Sequence, residues 1–437
     1  MNIDSLICGR WVIPVEPDDR VFEWHAIAVN EGKIIDSLPV EEALSKYQAG
    51  ALHQLDDHAL IPGLINAHTH TSMALFRGLA DDLPLMQWLH GHIWPAERQW
   101  VSPEFVEAGT RLAIAEMLRG GTTCFNDMYF FPDTSAEVAV ATGIRAVIGL
   151  IMIDFPTPWA KDVQEYLDKG EQVHDRFKLT PLIQTTFAPH APYTVPDGPL
   201  LKIATLAEEL DIQIHMHLHE TGDEINQSIE RHGKRPLQRL DDLGILSNRF
   251  IAVHMTQLEK EDIDRVAKYG AHIVHCPESN LKLGSGFCPV NDLIKSGINV
   301  SLGTDGSASN NDLDMIGEMH TAAILAKGVA GDSSVVPAHT ALRMATINGA
   351  KALGIDTVCG SLIVGKEADV VAIDLGEIET RPLYDPVSQI VYAAGRNQIS
   401  DVWVAGRHLL KGRELVTINE EQVKQETSIW QERLQQG

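Results

Sequence analysis

Two histidines, His68 and His70, stand two positions apart at the end of the apolar run in "PGLINAHTH". On a β-strand, residues i and i+2 share a face, so both imidazoles project toward one point. A metal ion suits that arrangement, and so does an ordinary hydrogen-bonded core. The rest of the chain separates these readings, because the pattern returns. His190 closes "TTFAPH", His217, His219 and Glu220 close "HMHLHE", and His254 closes "FIAVH". His275 closes "HIVH" and Asp305 closes "SLGTD". One histidine is more often packed or solvated than a ligand, and one H-x-H motif says little. The recurrence says more, because core packing gives no reason to place imidazoles and carboxylates at matched strand ends.

These groups need elements to position them. From about residue 60, short apolar runs alternate with helical patterns. The strand candidates are "LIPGLINAH", "GTTCFND", "RAVIGLIM", "LTPLIQTTFAPH", "IQIHMHLH", "FIAVHM", "AHIVHCPES" and "NVSLGTDG". Among the intervening helices, "SPEFVEAGTRLAIAEMLRGG" has Ser102 as N-cap and Pro103 as first helical residue. Eight such repeats predict an α/β fold, a (β/α)8 TIM-like barrel, whose functional groups gather at the C-terminal strand ends. A doubly wound sheet would alternate similarly, but no G-x-G-x-x-G follows an early strand. Residues 1–58 read as strands, with helical periodicity only around "VEEALSKYQ". Strands return after about residue 360 in "GSLIVGKEADVVAID", "IVYAAG" and "ISDVWVAGRHLLKGRE". The expected organisation is a barrel over 59–360 and one small β-sandwich domain built from 1–58 and 361–437.

The 437 residues are 44% hydrophobic and 22% charged, an ordinary globular composition able to bury a large core. A formal net charge of −25 repels polyanions, so neither nucleic acid nor an anionic membrane surface is an expected partner. The five cysteines, Cys8, Cys124, Cys276, Cys288 and Cys359, contain no C-x-x-C, so neither a disulfide framework nor a thiolate zinc site is indicated. "MNIDSLICGRWVIP" has no signal-peptide character, and no apolar run is long enough for a transmembrane helix. A cytoplasmic location, a small-molecule substrate and a homo-oligomer, with a dimer as the default, are expected.

"PGLINAHTH", "HLHETGDE", "AVHMT", "PESNLKLGSG" and "SLGTDGSASNNDLDM" resemble the deaminase and chlorohydrolase branch of the amidohydrolase superfamily. "ATINGAKALG" followed by "GSLIVGKEADVVAID" resembles that branch's passage back into its β-domain. The resemblance spans essentially the whole chain. It is strongest to 5′-methylthioadenosine/S-adenosylhomocysteine deaminases, through "HTHTSMALFRGLADDLPLMQWL" and "WPAE".

The resemblance implies one divalent metal per subunit held by His68, His70, His217 and Asp305, with zinc expected and ferrous iron the alternative. Three neutral imidazoles and a carboxylate suit either ion. Binuclear relatives use a carboxylated lysine at a middle strand, and "LIQTTFAPH" supplies none. Strand parity alone leaves His215, His217 and His219 open as ligands; the family pattern, three residues before the catalytic glutamate, selects His217. Structural roles are expected for His215, His219 and His275.

The implied reaction is hydrolytic deamination of a 6-aminopurine nucleoside, foremost 5′-methylthioadenosine to 5′-methylthioinosine and ammonia, with S-adenosylhomocysteine and adenosine as further substrates. Glu220 resembles the acid that protonates ring N1, Asp305 the group that moves the water proton to ammonia, and His254 the histidine that holds the attacking oxygen. Glu97 resembles the carboxylate that binds the ribose hydroxyls, and His190 a further substrate contact. Trp88 is a candidate cover for the purine, with a structural indole as the alternative. Another aminohydrolase or chlorohydrolase of the guanine or triazine type would not require Glu97. A non-catalytic scaffold barrel would be expected to lose metal ligands, and the set is whole here. The zinc cytidine deaminases need a C-x-x-C that this chain lacks.

The nucleoside 5′ group is the last question. "GLIMIDFPTPWAKDVQEYLDK", after the third barrel strand, contains no arginine to meet an amino-acid carboxylate; Lys161 is its nearby cation. Phe155, Pro156, Pro158 and Trp159 offer an apolar wall instead, which predicts a preference for the methylthio group.

Overall fold

The computed structural model describes residues 1–436 and contains two eight-stranded sheets. The first joins the two ends of the chain. Its N-terminal strands are β1 (Asn2–Val12), β2 (Phe22–Asn30), β3 (Lys33–Pro39) and β4 (Gln48–Pro62). The second is wholly parallel and holds β5 (Leu64–Thr69), β6 (Thr122–Asp127), β7 (Arg145–Met152), β8 (Ile183–Pro189), β9 (Ile214–Leu218), β10 (Phe250–His254), β11 (His272–His275) and β12 (Val300–Leu302). These pair in chain order with helices between them, giving the expected (β/α)8 barrel. The chain then returns to the first sheet as β13 (Val370–Asp374), β14 (Ile399–Val404), β15 (Arg407–Lys411) and β16 (Glu414–Leu415).

The barrel strands are buried along almost their whole length because both faces are covered; every residue of "RAVIGLIM", Arg145 included, is buried. The helix Pro103–Arg119 begins as expected, with Ser102 Oγ accepting from Phe105 N at 3.2 Å. "LIPGLINAH" differs from its reading as one strand. It divides at Gly63, where β4 leaves the end sheet and β5 enters the barrel. A Cβ on Gly63 would lie 1.9 Å from Thr123 Oγ1, so only glycine lets the two strands approach there.

The end sheet runs β16-β15-β14-β13-β4-β1-β2-β3. It folds back on itself: Ile34 N donates to Lys366 O at 2.9 Å and Ala368 N to Gly32 O at 2.8 Å. Ile7, Ile27, Val29, Leu60, Val370 and Trp403 pack inside the fold. Two C-terminal segments depart from the sequence reading. "IVYAAG" is not a strand: its first residues end the helix Pro386–Tyr392, which Asp385 caps. The last segment, Glu420–Gln436, is a helix that packs Trp430 against Phe105 with ring centroids 5.2 Å apart.

One buried ion pair ties barrel to end sheet. Arg145, at the start of β7, donates to Asp369 through Nε at 2.9 Å and Nη2 at 3.0 Å, and reaches Glu367 at 2.6 Å. Asp369 also accepts from Ala405 N at 2.7 Å. Removing one partner of such a pair strands a buried charge. Arg145→Ala should therefore cost about 3–5 kcal/mol in denaturant unfolding, whereas Arg176→Ala, at the exposed pair with Glu137, should cost little.

Candidate active site

The histidines and carboxylates do converge at the C-terminal mouth of the barrel. His68 is the fifth residue of β5, His217 lies on β9, and Asp305 follows β12. His68 Nε2 lies 3.1 Å from His217 Nε2 and 3.3 Å from Asp305 Oδ1, and His70 Nε2 lies 3.2 Å from the same oxygen. One ligand atom from each of the four residues falls within 4.8 Å of every other. No other group of three or more such side chains stands out among the described residues.

Their surroundings prepare them as metal donors. His70 Nδ1 donates to Met128 O at 2.5 Å, which leaves its Nε2 lone pair for a cation. Burial, with lesser repulsion from neighbouring imidazoles, pushes the His217 imidazole well below its usual range. Burial likewise brings His68 down to about 4. Both therefore stay neutral. Burial alone would raise the Asp305 carboxyl, but its hydrogen bonds to His68 and His70 hold it well below the usual carboxylate range. Its second oxygen accepts from Ser279 Oγ at 2.6 Å and Ser309 Oγ at 2.9 Å. Burial lowers the His70 imidazole, but its contacts with Asp305 and Met128 O raise it overall, so a metal bound there would take the place of its Nε2 proton. Buried imidazoles around one ionised carboxylate are the donor chemistry of a borderline divalent metal.

Glu220, His254, His190, Glu97 and Trp88 line the same inner cavity as His70, His217 and Asp305. Burial raises the Glu220 carboxyl, and nearby His254 offsets only part of the rise. His254 Nδ1 is engaged by Asn280 Oδ1 at 2.9 Å, and its Nε2 points toward Glu220, 3.8 Å from Oε2. His190 Nδ1 bonds Thr194 Oγ1 at 2.9 Å, while burial and then His70 and His68 bring the imidazole down to about 3. Glu97 stands on the helix Trp94–Trp100, and burial pushes its carboxyl up to about 7. Trp88 spends its Nε1–H on Ala80 O at 3.1 Å, so it offers the cavity only its apolar ring.

The three remaining histidines differ from one another. His215 shares the β9 face of His217 and sits deeper, its Nε2 3.1 Å from His68 Nδ1 and its Nδ1 3.2 Å from Asn126 Nδ2. His219 turns away. It lies past the end of β9 at φ 52°, where strand parity no longer applies, and its ring bonds Gln257 O at 3.0 Å and Leu237 N at 3.1 Å. His275 is buried at the end of β11, and its Nδ1 has no partner among the described residues.

Sequence reading missed several residues at the mouth. Ser279 and Asn280 sit inside "PESNLKLGSG", a motif without assigned roles, and Ser309 inside "SASNN". Glu224, a turn beyond Glu220, accepts from Glu220 N at 2.7 Å and His219 N at 3.0 Å and so sets the strand end. Tyr129 and Tyr193 also line the inner cavity.

The inner cavity shares Trp94 and Tyr193 with an outer cleft of about 760 Å³. Of the expected apolar wall, Phe155 lines this cleft beside Trp94, with ring centroids 5.7 Å apart. Trp159 does not: it packs against Phe131 beneath Lys169. The cleft does have cations, from beyond β9 rather than from the loop after β7. Arg239 is buried and committed to Asp197, Pro192 O and Val195 O, and Arg231 is exposed at the rim.

The donor set predicts a graded response in metal content by elemental analysis. His68→Ala or Asp305→Ala should abolish stoichiometric metal, His215→Ala should weaken metal binding about 10–100-fold, and Glu220→Gln should leave it intact.

Known proteins carry the same architecture. The amidohydrolase family model matches residues 59–409. A 5-methylthioadenosine/S-adenosylhomocysteine deaminase of Teredinibacter turnerae is 48% identical over 433 residues, 99% of this chain and 98% of that protein. Its counterpart in Thermodesulfovibrio yellowstonii is 42% identical over 436 residues, 99% of each. The crystal structure of an adenosine deaminase from Xanthomonas campestris with bound zinc superposes with a TM-score of 0.99 at 50% identity, covering 100% of this chain and 99% of that one. A triazine hydrolase variant at 23% identity, with a TM-score of 0.92 over 98% of this chain and 99% of that one, shares the fold. With full-length identity to these deaminases and a His-rich mouth on a parallel barrel, the chain belongs to the amidohydrolase family.

Proposed function

We propose that this chain deaminates 6-aminopurine nucleosides by hydrolysis, with 5′-methylthioadenosine as its preferred substrate. The observation that carries the reading is a single cavity holding three things together. At its base is the His68, His70, His217 and Asp305 donor set; beside it is Glu220, a carboxyl inclined to keep its proton; at the wall is Glu97. Hydrolysis alone needs the first two. The carboxylate at the wall adds recognition of a sugar diol.

When bound at the donor set, a divalent metal, for which we propose zinc with ferrous iron as the alternative, supplies the Lewis acidity that makes water nucleophilic near neutral pH. The chain's own groups do the rest. Glu220 gives its proton to purine N1, which makes C6 electrophilic. His254, oriented by Asn280, holds the attacking oxygen through Nε2. Asp305 accepts the proton that water loses and passes it to the amino nitrogen. As the C6–N bond breaks, the remaining hydroxyl proton on the C6 oxygen returns to Glu220, which restores its acid form, and ammonia and a 6-oxopurine nucleoside leave. Neutral His190 contacts the purine, the Trp88 ring covers it, and Glu97 accepts from the ribose hydroxyls.

At the 5′ end, Trp94, Phe155 and Met86 give the methylthio group an apolar contact. A homocysteine tail would extend to the rim and rely on exposed Arg231, because Arg239 is buried and already paired with Asp197.

Ultraviolet absorbance with a panel of nucleosides tests the reading. 5′-Methylthioadenosine should exceed adenosine in kcat/KM by roughly tenfold, the worth of about two buried methylene-sized units, and should also exceed S-adenosylhomocysteine. Arg231→Ala should lower kcat/KM for S-adenosylhomocysteine alone. Glu220→Gln should keep its metal and lose ~10²–10⁴-fold in kcat. Glu97→Ala should penalise nucleosides far more than free adenine. Absence of turnover on every adenine nucleoside, in protein loaded with metal, would overturn the proposal.

A further inference from the structure

Tyr129 has a property that neither folding nor the mechanism above uses. It follows β6 in "NDMYF", a segment already committed to the site. Asp127 accepts from Thr71 N at 2.8 Å and Met128 O holds His70 Nδ1 at 2.5 Å. The next residue, Tyr129, is 4% exposed and faces the inner cavity. Its ring is fixed between Phe130, with centroids 5.2 Å apart, and His70, at 6.4 Å. Its hydroxyl approaches the Glu97 carboxylate without a well-aligned hydrogen bond to it, and has no other partner among the described residues. Leaving a buried hydroxyl without a partner costs about 1–3 kcal/mol, so a phenylalanine would serve packing better. The residue that carries it lines the cavity that a ligand must enter.

The neighbouring carboxylate indicates what that ligand offers. A vicinal diol has two hydroxyl protons and also oxygen lone pairs. Glu97 can take the protons but, once ionised, has nothing to give the lone pairs. A phenol beside it supplies the missing donor. We propose that Tyr129 is a substrate-binding residue that donates to one ribose hydroxyl oxygen while Glu97 accepts from the diol, so that the pair selects ribonucleosides over deoxyribonucleosides. This rests on the nucleoside reading of the site.

Tyr129→Phe removes the donor and keeps the ring. Its kcat/KM should be measured on adenosine, 2′-deoxyadenosine and 3′-deoxyadenosine, with metal content as a check on folding. The expected result is a loss of about tenfold on adenosine, the worth of one net hydrogen bond. The same loss should appear on one deoxynucleoside, and no loss on the other, which already lacks the partner oxygen. The dissociation constant of inosine, a product analogue that needs no turnover, should weaken in parallel, while that of hypoxanthine should not change. Equal losses on all three substrates would mean that Tyr129 only packs, and no loss on any would mean that its hydroxyl meets no substrate; either overturns the assignment. If the wild-type protein deaminates none of the nucleosides, the functional reading itself fails and the Tyr129 role with it.

Discussion

At Asp305 the closing of the barrel and the chemistry of its mouth meet in one residue. The last strand must be brought beside the first, and the chain does this with Asp305 N donating to His68 O at 3.0 Å. Gly303, two residues earlier, passes so close that a Cβ would lie 2.8 Å from His68 N. Asp305 itself sits at φ 65°, a left-handed conformation uncommon for a residue with a side chain. That turn aims one carboxylate oxygen at His68 and His70 and leaves the other for Ser279 and Ser309. The seam therefore holds the donor set together, and the donor set fills the seam.

Electrostatics then sort the crowd of ionisable groups. Burial drives His68, His190, His215 and His217 toward the neutral form, and their mutual repulsion adds to it. Neutral imidazoles can sit ring against ring, as His68 does against His217 at 4.9 Å between centroids. The carboxyls divide in the opposite sense. Asp305 is pulled down by its histidines, whereas burial raises Glu220 and Glu97. Groups of one chemical type pushed apart by environment can serve as ligand, proton donor and substrate contact within one cavity.

The end sheet contributes from a distance. Strands from both chain termini interleave in it, and the Arg145–Asp369 pair welds it to the start of a barrel strand, at the end opposite the mouth. Gly63, immediately before the His-bearing strand β5, does the same sterically by letting the chain pass close against Thr123 of β6. A rigid floor of this kind lets the loops at the mouth vary without loosening the strand ends that carry the candidate ligands.

Much of this was legible in the chain itself. Alternating apolar runs and helical patterns demand a parallel sheet covered on both faces, and period-2 geometry puts His68 and His70 on one side. Motif resemblance singled out His217 over His215 and His219, which parity could not do. Tertiary structure decided what local pattern cannot encode. His219 escapes the parity rule because the chain has left the strand. "IVYAAG", apolar enough for a strand, becomes helix because Asp385 caps it and its buried face packs on other helices. Arg231 reaches the outer cleft from a helix remote in sequence from the loop where a cation was sought. Tyr129 has no spacing signal at all, since one phenol after one strand means nothing until its hydroxyl is seen beside Glu97 without a partner. Sequence determined which side chains exist and which face of their own element they occupy; only the closing of the barrel, which brings residues 238 positions apart into hydrogen-bond contact, as Asn66 Nδ2 with Thr304 Oγ1 at 2.7 Å, decided which of them meet.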